Sequence, residues 1–365
     1  MPHRWTRAFS GLIVAGLVIG ATTGSTADRA PRWALDNPIV PLPKPPLGTR
    51  VDFSRIAWVT PERVRLGRWL FFDPRLSYDG TISCASCHQP ARAFSDGRAV
   101  SIGVRGHRGA RKSPTFVNEV WQHRAEYAYF WDGRASTLAQ QATQPIVSKG
   151  EMASTPERAV ERVGAVAAYR SAFDGIYGDG VITLARIGEA IAAYEATRLS
   201  GNSAVDRFET GDAGALSAAA RRGRALFGGK AGCRGCHFDW TYAGSGFENL
   251  GVGWAPRVSG VASLRDGFAD LGRGGVTGLE EDIGAFKTPT LRDVSKHAPY
   301  MHDGSLRTLR AVVEFYNAGG RANPGLSDRL KPLGLAVQEI DDLVAFLRAL
   351  DGEGYADPGP ALLPP

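Results

Sequence analysis

Cysteine, methionine, long apolar runs and net charge are all scarce in this chain, and each scarcity removes a class of protein. Four cysteines in 365 residues cannot build the dense disulfide framework of a small secreted scaffold. The one pronounced apolar stretch, Phe9 to Ala21, has about 13 residues, short of the roughly 20 that a helix needs to cross a bilayer core. No other stretch comes near that length, so no membrane span is expected in the mature protein. Regular alternation of apolar and polar residues is missing as well, which argues against a barrel or sandwich. Net charge is only +6, or about +4 without Arg4 and Arg7 near the N-terminus, and it is evenly spread, so no nucleic-acid partner is expected. What remains is a chain 43% hydrophobic and 22% charged, neither disordered nor fibrous, with room for about two domains. Its 45 glycines and 22 prolines predict long loops between short helices.

The N-terminus runs from a basic start through Phe9 to Ala21 to small polar residues ending Ser25-Thr26-Ala27. That order predicts a secretory signal peptide over residues 1–27, with an uncleaved membrane anchor as the alternative. No cysteine lies near the cut, so no lipoprotein anchor is expected, and the mature protein is placed in the periplasm.

All four cysteines fall in two units, Cys84-Ala85-Ser86-Cys87-His88 and Cys233-Arg234-Gly235-Cys236-His237. Two thiols one helical turn apart can form thioethers to both vinyl groups of a haem, and the adjacent histidine then reaches the iron from the same side. A four-thiolate zinc site would not need a histidine directly after each pair. No strand-helix-strand pattern surrounds either unit as a thioredoxin-like redox pair would require. Disulfides are the remaining alternative. Two covalent haem c groups are expected, with His88 and His237 as iron ligands.

The units belong to a longer repeat. Gly67-Arg68-Trp69-Leu70-Phe71 precedes the first and Gly223-Arg224-Ala225-Leu226-Phe227 the second. Pro114-Thr115 and then Trp131-Asp132-Gly133-Arg134-Ala135-Ser136-Thr137-Leu138 follow the first; Pro289-Thr290 and His302-Asp303-Gly304-Ser305-Leu306-Arg307-Thr308-Leu309 follow the second. The fold expected is mainly α: two tandem cytochrome c-like haem domains, over residues 61–200 and 201–350, with long loops and little β-structure. A Pro-rich segment 28–60 precedes them and a tail 351–365 follows; both read as extended wrapping or loose segments. His88 to Trp131 is 43 residues and His237 to His302 is 65, which places about 22 extra residues in the Gly-rich stretch 244–284. Apolar residues recur at helical spacing over 156–177, 183–200, 306–318 and 337–350, with Thr155 placed to start the first of these.

The repeat also separates the two irons. Fourteen residues after Trp131 stands Pro145, which has no ligand atom; fourteen after His302 stands Tyr316, a phenol. The first haem is therefore expected to be open on its far side, where a peroxide can bind, and the second to be six-coordinate and suited to passing electrons. Composition alone favours Met301 as the second ligand of the second haem; the repeat favours Tyr316, whose alternative is a packed core tyrosine. Cleaving a peroxide needs a group that moves a proton from the inner to the outer oxygen. Glu151 is the candidate, with Gln141 to orient the peroxide; a solvated loop carboxylate is the alternative reading of Glu151. Trp131 is either an electron-carrying bridge between the haem segments or a core aromatic. His107 is either an exposed loop residue or a movable cap on the first haem.

Both CxxCH units, Phe130-Trp131-Asp132-Gly133-Arg134-Ala135, Gln141, Pro145, Glu151-Met152, Lys287-Thr288-Pro289-Thr290-Leu291-Arg292 and Pro299-Tyr300-Met301-His302-Asp303-Gly304 resemble the bacterial di-haem cytochrome c peroxidase and MauG family over residues 61 to 350. The resemblance implies His88 and His237 as proximal ligands, Trp131 between the haems, and Gln141 and Glu151 on the distal side of the first. Phe315-Tyr316-Asn317-Ala318-Gly319-Gly320 looks like the MauG branch, since the peroxidase branch has Met where Tyr316 stands. Family members commonly hold a calcium between the haems through an Asn and a Thr; Lys112 and His297 occupy those positions here. Calcium is therefore doubtful, with Lys112 as a stand-in for its charge. MauG itself has a surface Trp two residues before the second CxxCH, where this chain has Ala231. The expected activity is reduction of hydrogen peroxide with electrons from a small periplasmic cytochrome c or cupredoxin. Peroxide-dependent oxidation of Trp or Tyr on a partner protein is the alternative. A plain di-haem electron carrier, a third possibility, would need neither Pro145 nor Glu151.

Overall fold

The computed structural model describes residues 1–3, 30–121, 128–255 and 264–365; the expected signal peptide falls almost wholly outside them. Among the described residues the first half carries α1 (Arg32–Asp36), α2 (Pro61–Phe72), α3 (Cys84–Cys87), α4 (Leu138–Val147), α5 (Pro156–Ala165), α6 (Ala167–Tyr177) and α7 (Leu184–Ala196). The second carries α8 (Ala204–Glu209), α9 (Ala218–Gly228), α10 (Leu264–Gly267), α11 (Gly274–Thr277), α12 (Leu309–Asn317) and α13 (Val337–Arg348). A two-stranded antiparallel sheet, β1 (Phe247–Asn249) on β2 (Ala285–Lys287), completes it. The mainly helical, β-poor chain expected from the sequence is what is observed.

Most of the longer helices start on a hydroxyl. Thr60, Thr137, Thr155, Thr183, Ser217 and Thr308 each accept from the backbone N–H three residues on, satisfying a donor that the first turn leaves free. Proline at the first helical position, in α2 and α5, adds a preset φ.

The repeat in sequence is a repeat in packing. Helix α2 crosses α7 where Gly67 faces the Ala190 carbonyl, and α9 crosses α13 where Gly223 faces the Asp342 carbonyl. A Cβ on either glycine would lie 1.8 or 1.9 Å from that oxygen. One turn further along each helix an aromatic closes the contact, Phe71 on Tyr194 at 5.1 Å and Phe227 on Phe346 at 5.0 Å. Around these pairs lie two apolar clusters, one with Leu66, Trp69, Ile187 and Ile191, the other with Val313, Ile340 and Leu343.

Two details depart from the sequence expectation. The helical pattern over 156–177 is two helices, because buried Val166 is extended (φ −88°, ψ 117°) between α5 and α6. Helix α12 begins at Leu309 rather than 306, since Leu306 is paired with Tyr300 in a bridge and Thr308 is the cap. Of the two readings of the C-terminal tail, wrapping is the one observed: Tyr355 joins the first cluster and Asp357 takes a bidentate contact from Arg68 at 2.8 Å.

Candidate active site

One cavity of about 1030 Å³ runs through the molecule, and both CxxCH units face it. Lone ligand pockets are usually about 300–1,000 Å³, so this space is at the top of the range for a single guest. His88 and His237 reach it from opposite halves, and each is fixed in the same way. The Nδ1–H of His88 donates to the Phe94 carbonyl at 2.9 Å, and that of His237 to the Tyr242 carbonyl at 2.7 Å. Both acceptors sit at left-handed residues, Phe94 with φ 57° and Tyr242 with φ 53°, which turns the loop so that its carbonyl meets the ring. A carbonyl cannot donate, so the proton stays on Nδ1 and Nε2 keeps the lone pair that a metal would use; at His88 the Ser113 hydroxyl lies 3.4 Å from that nitrogen. Burial lowers the proton affinity of both rings, that of His237 to about 4, and so keeps them neutral. No disulfide joins any of the four cysteines; burial raises the Cys87 and Cys233 thiols to about 11.

The Trp131 and His302 segments form the same turn. Tyr129 pairs with Ala135 and Tyr300 with Leu306; Phe130 and Met301 both take left-handed φ, 68° and 70°, as do Gly133 and Gly304. Thr137 and Thr308 then cap α4 and α12, so Pro145 and Tyr316 stand at equal distance along matching helices. Pro145 lies inside α4 and lines the cavity, as do Gln141, Glu151 and Met152. The charge of Glu151 reaches both Cys84 and Cys87. Tyr316 lines the other end; its phenol is raised chiefly by burial and then by Cys233 and Cys236. Met301 lines the cavity as well.

Trp131 also lines the cavity, and its indole N–H donates to the Lys112 carbonyl at 2.9 Å. The Lys112 N–H in turn donates to the His302 carbonyl at 2.7 Å, so Lys112 ties the two matched turns together. Its ammonium is buried, donates to Ser95 Oγ at 2.6 Å, and is lowered to about 8 mainly by loss of water. His297, lowered to about 4 by burial and then by Lys112, leaves Nε2 without a partner. Among the described residues no group of three or more His, Cys, Asp or Glu side chains is placed to hold a metal ion. His107 is exposed and lies against Gly150 at the cavity wall, beside Glu151. Ala231 is buried, with its carbonyl 3.6 Å from the Cys233 thiol.

Sequence reasoning missed the two carbonyl acceptors, because a backbone oxygen leaves no trace in residue identity. It also missed Glu119, Tyr129, Glu195 and Lys287, which line one corner of the cavity. Lys287 pairs with Glu119 at 3.3 Å. Glu195 had a signal that could have found it: a lone carboxylate in the otherwise apolar run Ile191-Ala192-Ala193-Tyr194-Glu195-Ala196.

Two neutral imidazoles, each directly after a pair of thiols and facing one cavity, suit a haem-dependent oxidoreductase. Comparison with known proteins gives the particular family. Residues 61–214 match the family model described as di-haem cytochrome c peroxidase. The chain is 40% identical over 304 residues to methylamine utilization protein MauG of Methylorubrum extorquens, covering 82% of this chain and 80% of that one. It is likewise 40% identical over 330 residues to cytochrome-c peroxidase IdrP1 of Denitromonas iodatirespirans, covering 84% and 85%. Among solved structures, a MauG-like protein associated with microbial copper homeostasis superposes with a TM-score of 0.71 at 31% identity, covering 87% of this chain and 96% of that one. The chain belongs to the di-haem cytochrome c peroxidase and MauG family.

Proposed function

We propose that this protein reduces hydrogen peroxide in the periplasm, drawing electrons from a small cytochrome c or cupredoxin. Two haem c groups would be held by Cys84 and Cys87 with His88, and by Cys233 and Cys236 with His237. The residues fit such groups: each histidine has its tautomer set for metal binding, and each thiol pair lines the same cavity as its histidine. Bound there, haem supplies the iron at which the peroxide O–O bond is cleaved and through which electrons arrive. The observation that carries the reading is the asymmetry of the matched helices, with Pro145 at one end and Tyr316 at the other.

At the first end Pro145 offers no ligand atom, which leaves space for a peroxide facing Gln141 and Glu151. The Gln141 amide would orient the peroxide by hydrogen bonding. Glu151 would take the proton from the inner oxygen and return it to the outer one, so that the departing oxygen leaves as water. At the second end the Tyr316 phenolate would join His237 in holding the iron, with Met301, which also lines the cavity, as the runner-up. Trp131, anchored through Lys112 to the second turn, offers an aromatic system between the ends.

Peroxide-dependent oxidation of a partner protein is the second reading. Tyr316 favours it, and buried Ala231 removes the surface tryptophan that this would use in MauG. The test is steady-state peroxide consumption with a reduced cytochrome against formation of oxidised Trp or Tyr on an added protein. Cytochrome oxidised at two equivalents per peroxide supports the first reading; protein oxidation without cytochrome turnover supports the second.

A further inference from the structure

Glu195 is a buried carboxyl that nothing above employs. It lies in the last turn of α7, is 5% exposed, lines the cavity, and has an Oε2 without a hydrogen-bond partner. Its surroundings disfavour a negative charge. Burial comes first and the like charge of Glu119 second, and together they raise the carboxyl well above the ordinary range. Lys287, the cation that reaches this corner, is engaged with Glu119, its Nζ 3.3 and 3.4 Å from the two carboxyl oxygens. The last turn of a helix is also its negative end, which disfavours a carboxylate further. The other facing groups are Tyr129 and the Cys84 thiol; both are raised chiefly by burial and also feel the charge of Glu195. None of these groups offers Glu195 a positive partner.

The position is on the peroxide side. Ala192, one turn before Glu195, packs with Leu138 and Tyr129, and Leu138 is one turn before Gln141 on α4. An unpaired polar atom in a protein interior opposes folding, so its retention beside a reaction cavity points to a use.

Reducing hydrogen peroxide to two waters breaks one O–O bond and takes up two electrons and two protons. Glu151 carries one proton at a time. We propose that Glu195 is a second proton donor to this cavity: its carboxyl O–H gives a proton to an oxygen leaving as water, and the carboxylate is reprotonated by a proton taken from bulk solvent and relayed by water in the cavity. The electrons come from the reduced cytochrome or cupredoxin, and the inference rests on the peroxidase reading above.

Infrared spectroscopy and turnover of the haem-loaded protein test it together. At pH 7 in D2O the wild type should show the C=O stretch of an un-ionised carboxylic acid, reduced by one group's area in Glu195→Gln and not in Glu151→Gln. Glu195→Gln should also lower kcat for peroxide about tenfold or more, with KM unchanged and a larger solvent isotope effect. Glu195→Met, which fills the same space without a polar atom, should lose kcat as well; a Met variant that keeps the wild-type kcat would trace the loss in Glu195→Gln to the amide and overturn the inference. An unchanged carboxylic band in Glu195→Gln, or an unchanged kcat in either variant, overturns the inference. A wild type inert to peroxide overturns the peroxidase reading and this inference with it; a wild type that turns over beside an equally fast Glu195→Gln overturns the inference alone.

Discussion

His88 and His237 are held by carbonyls six and five residues further on, and the two loops reach those carbonyls through left-handed Phe94 and Tyr242. At the residue scale this is what the CxxCH motif leaves unstated: the motif names the ring, and the loop behind it decides which nitrogen is free. The cysteines, both histidines and the Pro145 and Tyr316 pairing were legible because covalent spacing and an internal repeat are written in residue identity. The Glu119, Glu195 and Lys287 corner was not, because it assembles residues from three distant segments. Two predictions belong here. Glu151→Gln should retain both haems while slowing the reaction with peroxide about a hundredfold or more, as loss of a general acid-base does; rapid mixing of the purified variant with peroxide measures it. Tyr316→Phe should open the second haem to cyanide and raise its potential, because a phenolate favours ferric iron, whereas Met301→Leu should change little. In a redox titration, a high-potential centre lost in Met301→Leu and kept in Tyr316→Phe would reverse the assignment of that ligand.

Among the elements, the crossings of α2 on α7 and of α9 on α13 set the geometry. Glycine inside a helix ordinarily costs about 1 kcal/mol against alanine. At Gly67 and Gly223 that cost is outweighed, since a Cβ would fall inside the Ala190 or Asp342 carbonyl. Gly67→Ala and Gly223→Ala should each destabilise by about 1–3 kcal/mol, the usual range for overpacking, despite the gain in helix propensity. Thermal denaturation checks this, and a higher Tm in either variant would show that the helices do not cross there. The glycines were legible as a repeated pattern, Gly67 to Phe71 and Gly223 to Phe227, though the pattern did not say what they faced. The break at Val166 was not legible, since apolar spacing continues across it from α5 into α6.

For the molecule as a whole, the chain ends bind the halves into one body. The Gly-rich insertion returns to the first half: Arg273 donates to the Asp132 and Gly133 carbonyls, and Asp270 takes a bidentate contact from Arg111. The tail does the same through Asp357, which accepts from Arg68 and from the Tyr194 hydroxyl. Burial alone would raise the Asp357 carboxyl, but the Arg68 hydrogen bond and charge outweigh it and the group lies below its ordinary value. The stability it adds is therefore complete above the unfolded carboxyl range and is lost as pH falls through the lowered value. Wild type should exceed Asp357→Asn in Tm at pH 7, with the gap closing below about pH 4; a gap that does not depend on pH would place the effect in packing instead. The tandem architecture was legible from the repeat; the tail was legible only as wrapping or loose, because one aspartate in a Pro- and Gly-rich stretch carries no periodicity that would say what it grips.

The most direct test of the whole account is stopped-flow absorption of the haem-loaded, fully oxidised protein mixed with one equivalent of hydrogen peroxide, wild type beside Glu151→Gln. The proposed roles of Pro145, Gln141 and Glu151 at the His88 end, with Tyr316 as the ligand at the other, predict a rapid spectral change in the wild type without prior reduction, and a change about a hundredfold slower in the variant. Two spectra indifferent to peroxide, or a wild type and variant that react at the same rate, would contradict it.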